Sequence, residues 1–491
     1  MLQVLCVGAV AAAAASRHAN SQDTLAAFKT RWQPSLRTGA ADASLANADA
    51  AMLSHCSLAV VGAGWGGAYA AWRLAVDTST IDASKVCVFE ANGRVGGRIY
   101  SLRGLPGFAD LAVDVGGYRF QETQKLPADL VWNALKLATA CYDWNCTAQC
   151  EGTTCYVIKD AYGNNAGYAT GIEAMLTELE DAGAGRQVYF ASRLTSLDAA
   201  PHVSQSASQL TFANGRSVTA DKVVLNLPGN ALEGLDQSSL IFGASNRTET
   251  LLDSVYTFGM NKVYAWYDDA WWNTKLKLME GYFDQNKPLA SPAPLEGRYH
   301  DGPQRCVIGK DTAGVPVYSG SKVKGGNCSG ALEVYYGRAQ SYYQRLMSSL
   351  LQPLTVITQG QGEHEKAIDD VHAHLMAYHA DQLKAVGVDP SKVPKPKTIV
   401  LSNWIPDGKY TPGIGSLWDG NKRATDEERK VVRKPLPSHE VYVVNQDYGY
   451  QSGWAVGSLK LAEKVLQAEL GVPMPTWLDK KWYQANVVAK P

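Results

Sequence analysis

The hydrophobic pattern becomes regular only near residue 57. Residues 16–55 are polar and Ala-rich without a sustained period, and they predict no packed element. Ser57-Leu58-Ala59-Val60-Val61 is a short unbroken apolar run, the pattern of a parallel strand buried on both faces. The glycine-rich turn Gly62-Ala63-Gly64-Trp65-Gly66-Gly67 follows. Then come an Ala-rich helical pattern over residues 68–76 and a second buried run, Val86-Cys87-Val88-Phe89-Glu90. Strand, glycine turn, helix and strand in that order make one βαβ unit.

Farther along, residues 169–180 have a helical period, and 187–218 predict short alternating strands around the turn Asn214-Gly215. Residues 222–228 are another buried run. From about 230 to 395 the pattern changes to aromatic-rich strands and long helices, with helices predicted over 335–351 and 363–386. Val441-Tyr442-Val443-Val444 then returns as a buried strand and 454–470 as a helix. A first domain interrupted by a second explains that return, and a length of 491 residues exceeds what one compact core holds. The expected limits are a leader at 1–15, a lead-in at 16–55, and a nucleotide-binding domain in three parts, 56–120, 186–235 and 436–470. The interrupting α+β domain takes 121–185, with a Cys-rich loop, and 236–435, leaving a tail at 471–491.

Lys+Arg 46 against Asp+Glu 47 leaves no surplus of positive charge for phosphate backbones, which excludes nucleic acid as a partner. Residues 1–15 form an apolar run ending in small residues, the pattern of a signal peptide cleaved near Ala15 or Ser16. A disordered Ala-rich start is the alternative, since no Lys or Arg precedes the run. No later segment offers ~20 uninterrupted apolar residues, so no membrane span is expected. Of nine cysteines, removing Cys6 with the leader leaves eight, and Cys141, Cys146, Cys150 and Cys155 crowd one stretch. They lack paired C-x-x-C knuckles and a nearby His, so disulfides are expected rather than a metal site. Cys306 and Cys328 flank a loop that a third bridge would close. Asn145, Asn246 and Asn327 head glycosylation sequons. Together these features predict a secreted glycoprotein; whether it forms a homo-oligomer the sequence leaves open.

In the βαβ unit Gly62 makes the tight turn, Gly64 lets a pyrophosphate approach the backbone, and Gly67 lets helix and strand pack closely. The helix N-terminus offers unpaired N–H groups to the phosphates. Glu90 ends the second strand 23 residues after Gly67, where its carboxylate would accept hydrogen bonds from ribose hydroxyls and repel a 2′-phosphate.

The continuation, Glu90-Ala91-Asn92-Gly93-Arg94-Val95-Gly96-Gly97-Arg98, resembles the extension after the second strand in glutathione-reductase-like flavoproteins of the flavin-containing amine oxidase family. The likeness runs in patches from about Leu58 to Leu466. It includes residues 220–228 as the mid-chain strand and 451–459 as the start of the flavin-contacting C-terminal helix, with Gly453 and Trp454. The resemblance implies FAD as cofactor, with Arg94 and Arg98 supplying charge for its pyrophosphate and Gly96 and Gly97 letting the backbone pass close. The chain departs from the family at Asn445-Gln446, where Gly and an acidic residue are usual; a neutral Gln446 would still hydrogen-bond the cofactor. With no Cys after Cys328, the FAD is expected to be non-covalent.

Within Asp114-Val115-Gly116-Gly117-Tyr118-Arg119-Phe120, Arg119 is similar to the arginine that holds the substrate carboxylate in L-amino acid oxidases, a task suited to a planar guanidinium. Tyr410 and Trp454 align with the two aromatic residues that flank the substrate amine, and Trp418 competes for the pocket wall. Lys262 occupies a strand position commonly basic in the family and is read as structural; Lys275 and Lys277 are candidates for a flavin-facing lysine. What the resemblance implies is an oxidase that converts L-amino acids and O2 to 2-oxo acids, ammonia and hydrogen peroxide. A polyamine or monoamine oxidase and a non-catalytic binding protein of the same fold are the alternatives.

Overall fold

The structure is a computed structural model that describes Trp32 and residues 52–489, apart from 106–110, 144–145, 147–151, 161–162, 244–251, 253, 283–290, 320–322, 348–352, 363, 406–413, 418–424 and 450–452. The chain opens with strand β1 (His55–Val61), helix α1 (Trp65–Trp72), strand β2 (Val86–Phe89) and helix α2 (Thr170–Ala182). Four strands follow: β3 (Val188–Tyr189), β4 (Leu194–Ala199), β5 (Ser208–Phe212) and β6 (Ser217–Leu225). The middle of the chain supplies β7 (Met260–Tyr267), β8 (Gln304–Lys310), β9 (Pro316–Ser319), β10 (Asn327–Arg338) and β11 (Leu354–Thr358). Helix α3 (Lys366–Tyr378), β12 (Thr398–Trp404), β13 (Val441–Val443) and α4 (Ala455–Ala468) complete the frame.

One sheet has the order β3-β2-β1-β6-β5-β4, with β13 paired to β6. Strands β3, β2, β1, β6 and β13 run parallel, and β5 and β4 extend the sheet antiparallel. Its strands come from both ends of the chain, and the C-terminal strand finds its place against Val223, Val224 and Leu225. Alternation along each strand sorts the core. Leu58, Val60, Val86 and Val88 face α1, α2 and α4, while Ala59, Val61, Cys87 and Phe89 face Leu194, Leu197 and Leu210. Buried Glu463 on α4 fastens that helix to α1, accepting from Tyr69 Oη at 2.6 Å and from Arg73 Nε at 3.2 Å.

The second sheet, β9-β8-β10-β7-β12-β11, is antiparallel throughout. Val263, Ala265, Leu332, Val334, Ile399 and Leu401 pack with Ile368, Val371 and Leu375 of α3. Tyr264, Trp266, Ala331 and Val400 face the opposite way, against Leu102, Val113 and Val115. A smaller sheet of Phe120–Gln121, Cys155–Ile158 and Thr139–Cys141 stands beside it.

The α/β class with a Rossmann-like unit and a second α+β region agrees with the sequence reading. The helix expected over 335–351 does not form as such. Residues 335–338 end β10, and among the described residues of that stretch only Ser341–Gln344 is helical. The run Val334-Tyr335-Tyr336 is β-branched and aromatic, and pairing with β7 on one flank overrides its helical spacing. Three disulfides are present among the described residues: Cys56–Cys87, Cys141–Cys146 and Cys306–Cys328. Cys155 is also disulfide-bonded. The bridge between β1 and β2 escaped the sequence reading, which looked for cysteines crowded in one segment. No helix among the described residues is long and apolar enough to cross a membrane.

Candidate active site

Glycine is required at two points of the first turn. Gly62 has φ +99°, and a Cβ there would lie 2.6 Å from the Asn226 carbonyl oxygen. A Cβ on Gly67 would lie 2.1 Å from the carbonyl oxygen of Gly62, so helix α1 could not pack onto its own turn. No side chain caps α1 at Gly64, which leaves its first N–H groups facing a cavity of about 350 Å³. Glu90 is buried at the cavity wall and accepts from Ala63 N at 3.0 Å, Asn92 N at 2.9 Å and Asn92 Nδ2 at 3.0 Å.

The cavity brings together Gly62, Gly64, Glu90, Arg94, Gly97, Arg98, Gln446, Gly453 and Trp454, all singled out in the sequence; Gly67 stays behind the turn. Gly97, with φ +57°, has nothing within 4 Å of an added Cβ and leaves backbone open to the cleft. The Arg94 guanidinium stacks 3.9 Å over the Tyr100 ring and donates to the carbonyl of Gly97 at 2.8 Å. Arg98 departs from a simple phosphate role. Its Nη1 donates to Asp447 Oδ1 at 2.7 Å and its Nη2 to Asn445 Oδ1 at 2.9 Å, tying the N-terminal motif to the C-terminal segment. Asp447 was missed in the sequence. It is fully buried and takes hydrogen bonds from Gln446 Nε2 and, on its other oxygen, from Gly229 N at 3.2 Å. Gln446 Oε1 in turn accepts from Gly453 N at 2.5 Å.

At the other end the cavity wall is Lys262, Tyr336, Trp404 and Trp454. Lys262, read as structural, also lines the cavity. Strand alternation puts it on the face of Tyr264 and Trp266, and its Nζ donates to the Asp114 carbonyl at 2.8 Å while lying 3.6 Å over the Tyr118 ring. The parity of β7 was the available signal. Lys275 and Lys277 do not line the cavity; Lys275 pairs with Asp269 at 3.1 Å near the surface.

Arg119 stands behind Trp454. Its guanidinium carbon lies 4.5 Å from the ring centres of Tyr118 and Tyr142 and 5.8 Å from that of Trp454. Its Nη1 donates to the Tyr118 hydroxyl, which also accepts from Arg298 Nη1 at 2.6 Å and from Tyr142 Oη at 3.2 Å. Arg119 Nε is buried with no hydrogen-bond partner. Tyr410 and Trp418, and the sequons at Asn145 and Asn246, lie outside the described residues.

Residues 60–133 match the model of an NAD(P)-binding Rossmann-like domain, and residues 128–340 that of flavin containing amine oxidoreductases. Aplysianin-A of Aplysia kurodai is 27% identical over 256 residues, which make up 51% of this chain and 39% of that protein. The chain thus matches well under half the length of that relative. A putrescine oxidase redesigned in its cofactor binding is similar in structure, with a TM-score of 0.51 and 13% identity over 85% of this chain and 99% of that one. At that identity the likeness is one of fold.

Proposed function

Since the chain belongs to the flavin-containing amine oxidoreductase family, a family that takes a flavin, we propose that it oxidises L-amino acids with non-covalently held FAD. The products are 2-oxo acids, ammonia and hydrogen peroxide. The observation that carries the substrate class is the unpartnered Nε of buried Arg119 beside Trp454. A buried guanidinium N–H without an acceptor costs about 1–3 kcal/mol or more, and a carboxylate from outside the chain relieves that cost.

The residues present fit the cofactor. Bare N–H groups at α1 and the open backbone at Gly97 suit a pyrophosphate, and Glu90 suits a ribose. Gln446 and Gly453 hydrogen-bond to each other in the cavity wall, where they would contact the cofactor. The flavin supplies the acceptor for a hydride from the substrate Cα. The chain supplies orientation. Arg119 holds the carboxylate, Trp454 and Tyr410 confine the amine, and the aromatic rings of Tyr118, Tyr142 and Tyr336 beside Trp454 exclude water. Lys262, at the cavity wall, is the flavin-facing lysine in this reading. Export accounts for the disulfides and for the sequon at exposed Asn327. The test is peroxide release from the flavin-loaded protein with L-amino acids, D-amino acids and polyamines. Turnover of L-amino acids alone is expected, and turnover confined to polyamines refutes the assignment.

A further inference from the structure

Behind Lys262, away from the cavity, two carboxyl groups face each other. Glu333 lies on β10 opposite Tyr264 and is fully buried; Asp301, in the turn before β8, is nearly so. Asp301 Oδ1 accepts from Gly302 N at 2.8 Å, but no protein donor reaches Asp301 Oδ2 or either oxygen of Glu333. The nearest cations stand at ion-pair distance without donating a hydrogen bond. Lys262 Nζ is 3.4 Å from Asp301 and 3.6 Å from Glu333, and Arg298 Nε is 3.8 Å from Glu333. Two ionised carboxylates facing each other in a buried site repel, whereas one proton between them satisfies both.

Burial and the Asp301 charge accordingly push the Glu333 carboxyl well above its ordinary range. Asp301 is held below its own range because Lys262, the hydrogen bond with Glu333 and Arg298 together outweigh the upward push of burial. The other groups facing the pair are Arg119 and the phenols of Tyr118, Tyr142 and Tyr264, all three phenols raised by burial. His300, next in sequence, packs its ring on Tyr142 and Tyr282.

We propose that Glu333 and Asp301 hold one shared proton in reserve and that it recharges Lys262 as Lys262 protonates the peroxide product. The inference rests on the reading of the cavity as a flavin oxidase site. Hydride removed from an amine, passed on to O2, gives the hydroperoxide anion, and one further proton completes hydrogen peroxide. That proton leaves Lys262 Nζ as an N–H bond breaks and an O–H bond forms. In the same step the Glu333 O–H proton passes to Nζ across a 3.6 Å gap that a small movement of the lysine side chain closes. Glu333 remains as a carboxylate between Lys262 and Arg298, and solvent restores its proton past the partly exposed Arg298 side chain. Glu333 and Asp301 are positioning residues, since neither lines the cavity.

Photoreduction of the holoenzyme followed by stopped-flow mixing with oxygenated buffer reads reoxidation without any amine. Glu333→Gln should reoxidise about 10²-fold more slowly, the scale of a lost general acid. Its infrared spectrum, recorded on the flavin-free protein, should lack one protonated-carboxyl band. Asp301→Asn lets Glu333 ionise against Lys262 and should be slow as well. A wild-type rate in either variant, or an unchanged carboxyl band in Glu333→Gln, overturns the proposal. So does an identical reoxidation rate of the wild-type protein in H2O and D2O, a measurement that needs no variant. Absence of flavin reduction by any amino acid would overturn the substrate assignment and leave this test intact.

Discussion

Replacing Arg119 by alanine separates an amino acid oxidase from an oxidase of simple amines. In the wild-type protein the guanidinium is wedged between the rings of Tyr118, Tyr142 and Trp454, with Nη1 committed to the Tyr118 hydroxyl and Nε without a partner. A substrate carboxylate held there gains one or two charge-assisted hydrogen bonds, about 1.5–3 kcal/mol each, and its burial without them adds a desolvation cost. The expected loss is therefore about 3–5 kcal/mol of transition-state stabilisation, or roughly 10²- to 10⁴-fold in kcat/KM. Peroxide release coupled to a peroxidase dye measures it on L-amino acids, with simple amines as control. Flavin content should stay unchanged, because Arg119 does not line the cofactor cavity. Thermal stability should fall modestly, since three ring contacts of about 0.5–1 kcal/mol or more each are lost. Lysine at this position should rescue little, having neither the planar fork nor the fit between rings. Unchanged turnover of an L-amino acid would refute the carboxylate assignment, and loss of flavin would move Arg119 to the cofactor.

Glu90→Ala should weaken FAD binding by about 1.5–3 kcal/mol for each ribose hydrogen bond lost, read by fluorescence titration of the flavin-free protein; equal affinity would remove Glu90 from the ribose. Asp447→Asn should loosen the junction between Arg98 and the C-terminal segment, breaking a buried ion pair at a cost of roughly 3–5 kcal/mol or less if Asn445 compensates, and a melting temperature equal to wild type would show that the pair is dispensable. Asn327 should carry glycan in protein from secreting cells, since it is exposed on β10. A peptide mass lacking glycan at that position counts against modification there.

The nucleotide-binding half was legible in the sequence because each of its features is local. Gly62 and Gly67 answer to backbone clearances a few residues away, and Glu90 sits at the end of the strand that the same motif opens. The far wall of the cavity is assembled from long-range pairings. Lys262 faces Glu333 only because β7 and β10 align with a register shift at Val263/Tyr264, and nothing within either segment states that register. Asp447 was hidden by a one-residue displacement from the expected pattern, which only its contact with Arg98, 349 positions earlier, makes visible. The helix expected over 335–351 failed for a related reason. Its apolar spacing fits either state, and the pairing with β7 that decides between them lies some 70 residues away.

The Cys56–Cys87 bridge encloses the glycine turn in a covalent loop, with a sequence separation of 31 between its ends and both sulfur-bearing residues fully buried. By loop-closure entropy such a link restricts the unfolded chain by roughly 3–4 kcal/mol, and it does so around the segment that must later wrap a pyrophosphate. Oxidation therefore has to precede closure of the sheet, after which thiol reductants no longer reach the bond. A chain made in a reducing compartment would assemble its flavin pocket without this brace, whatever the supply of flavin. The same chain, once folded through an oxidising one, should keep its cofactor in millimolar reductant.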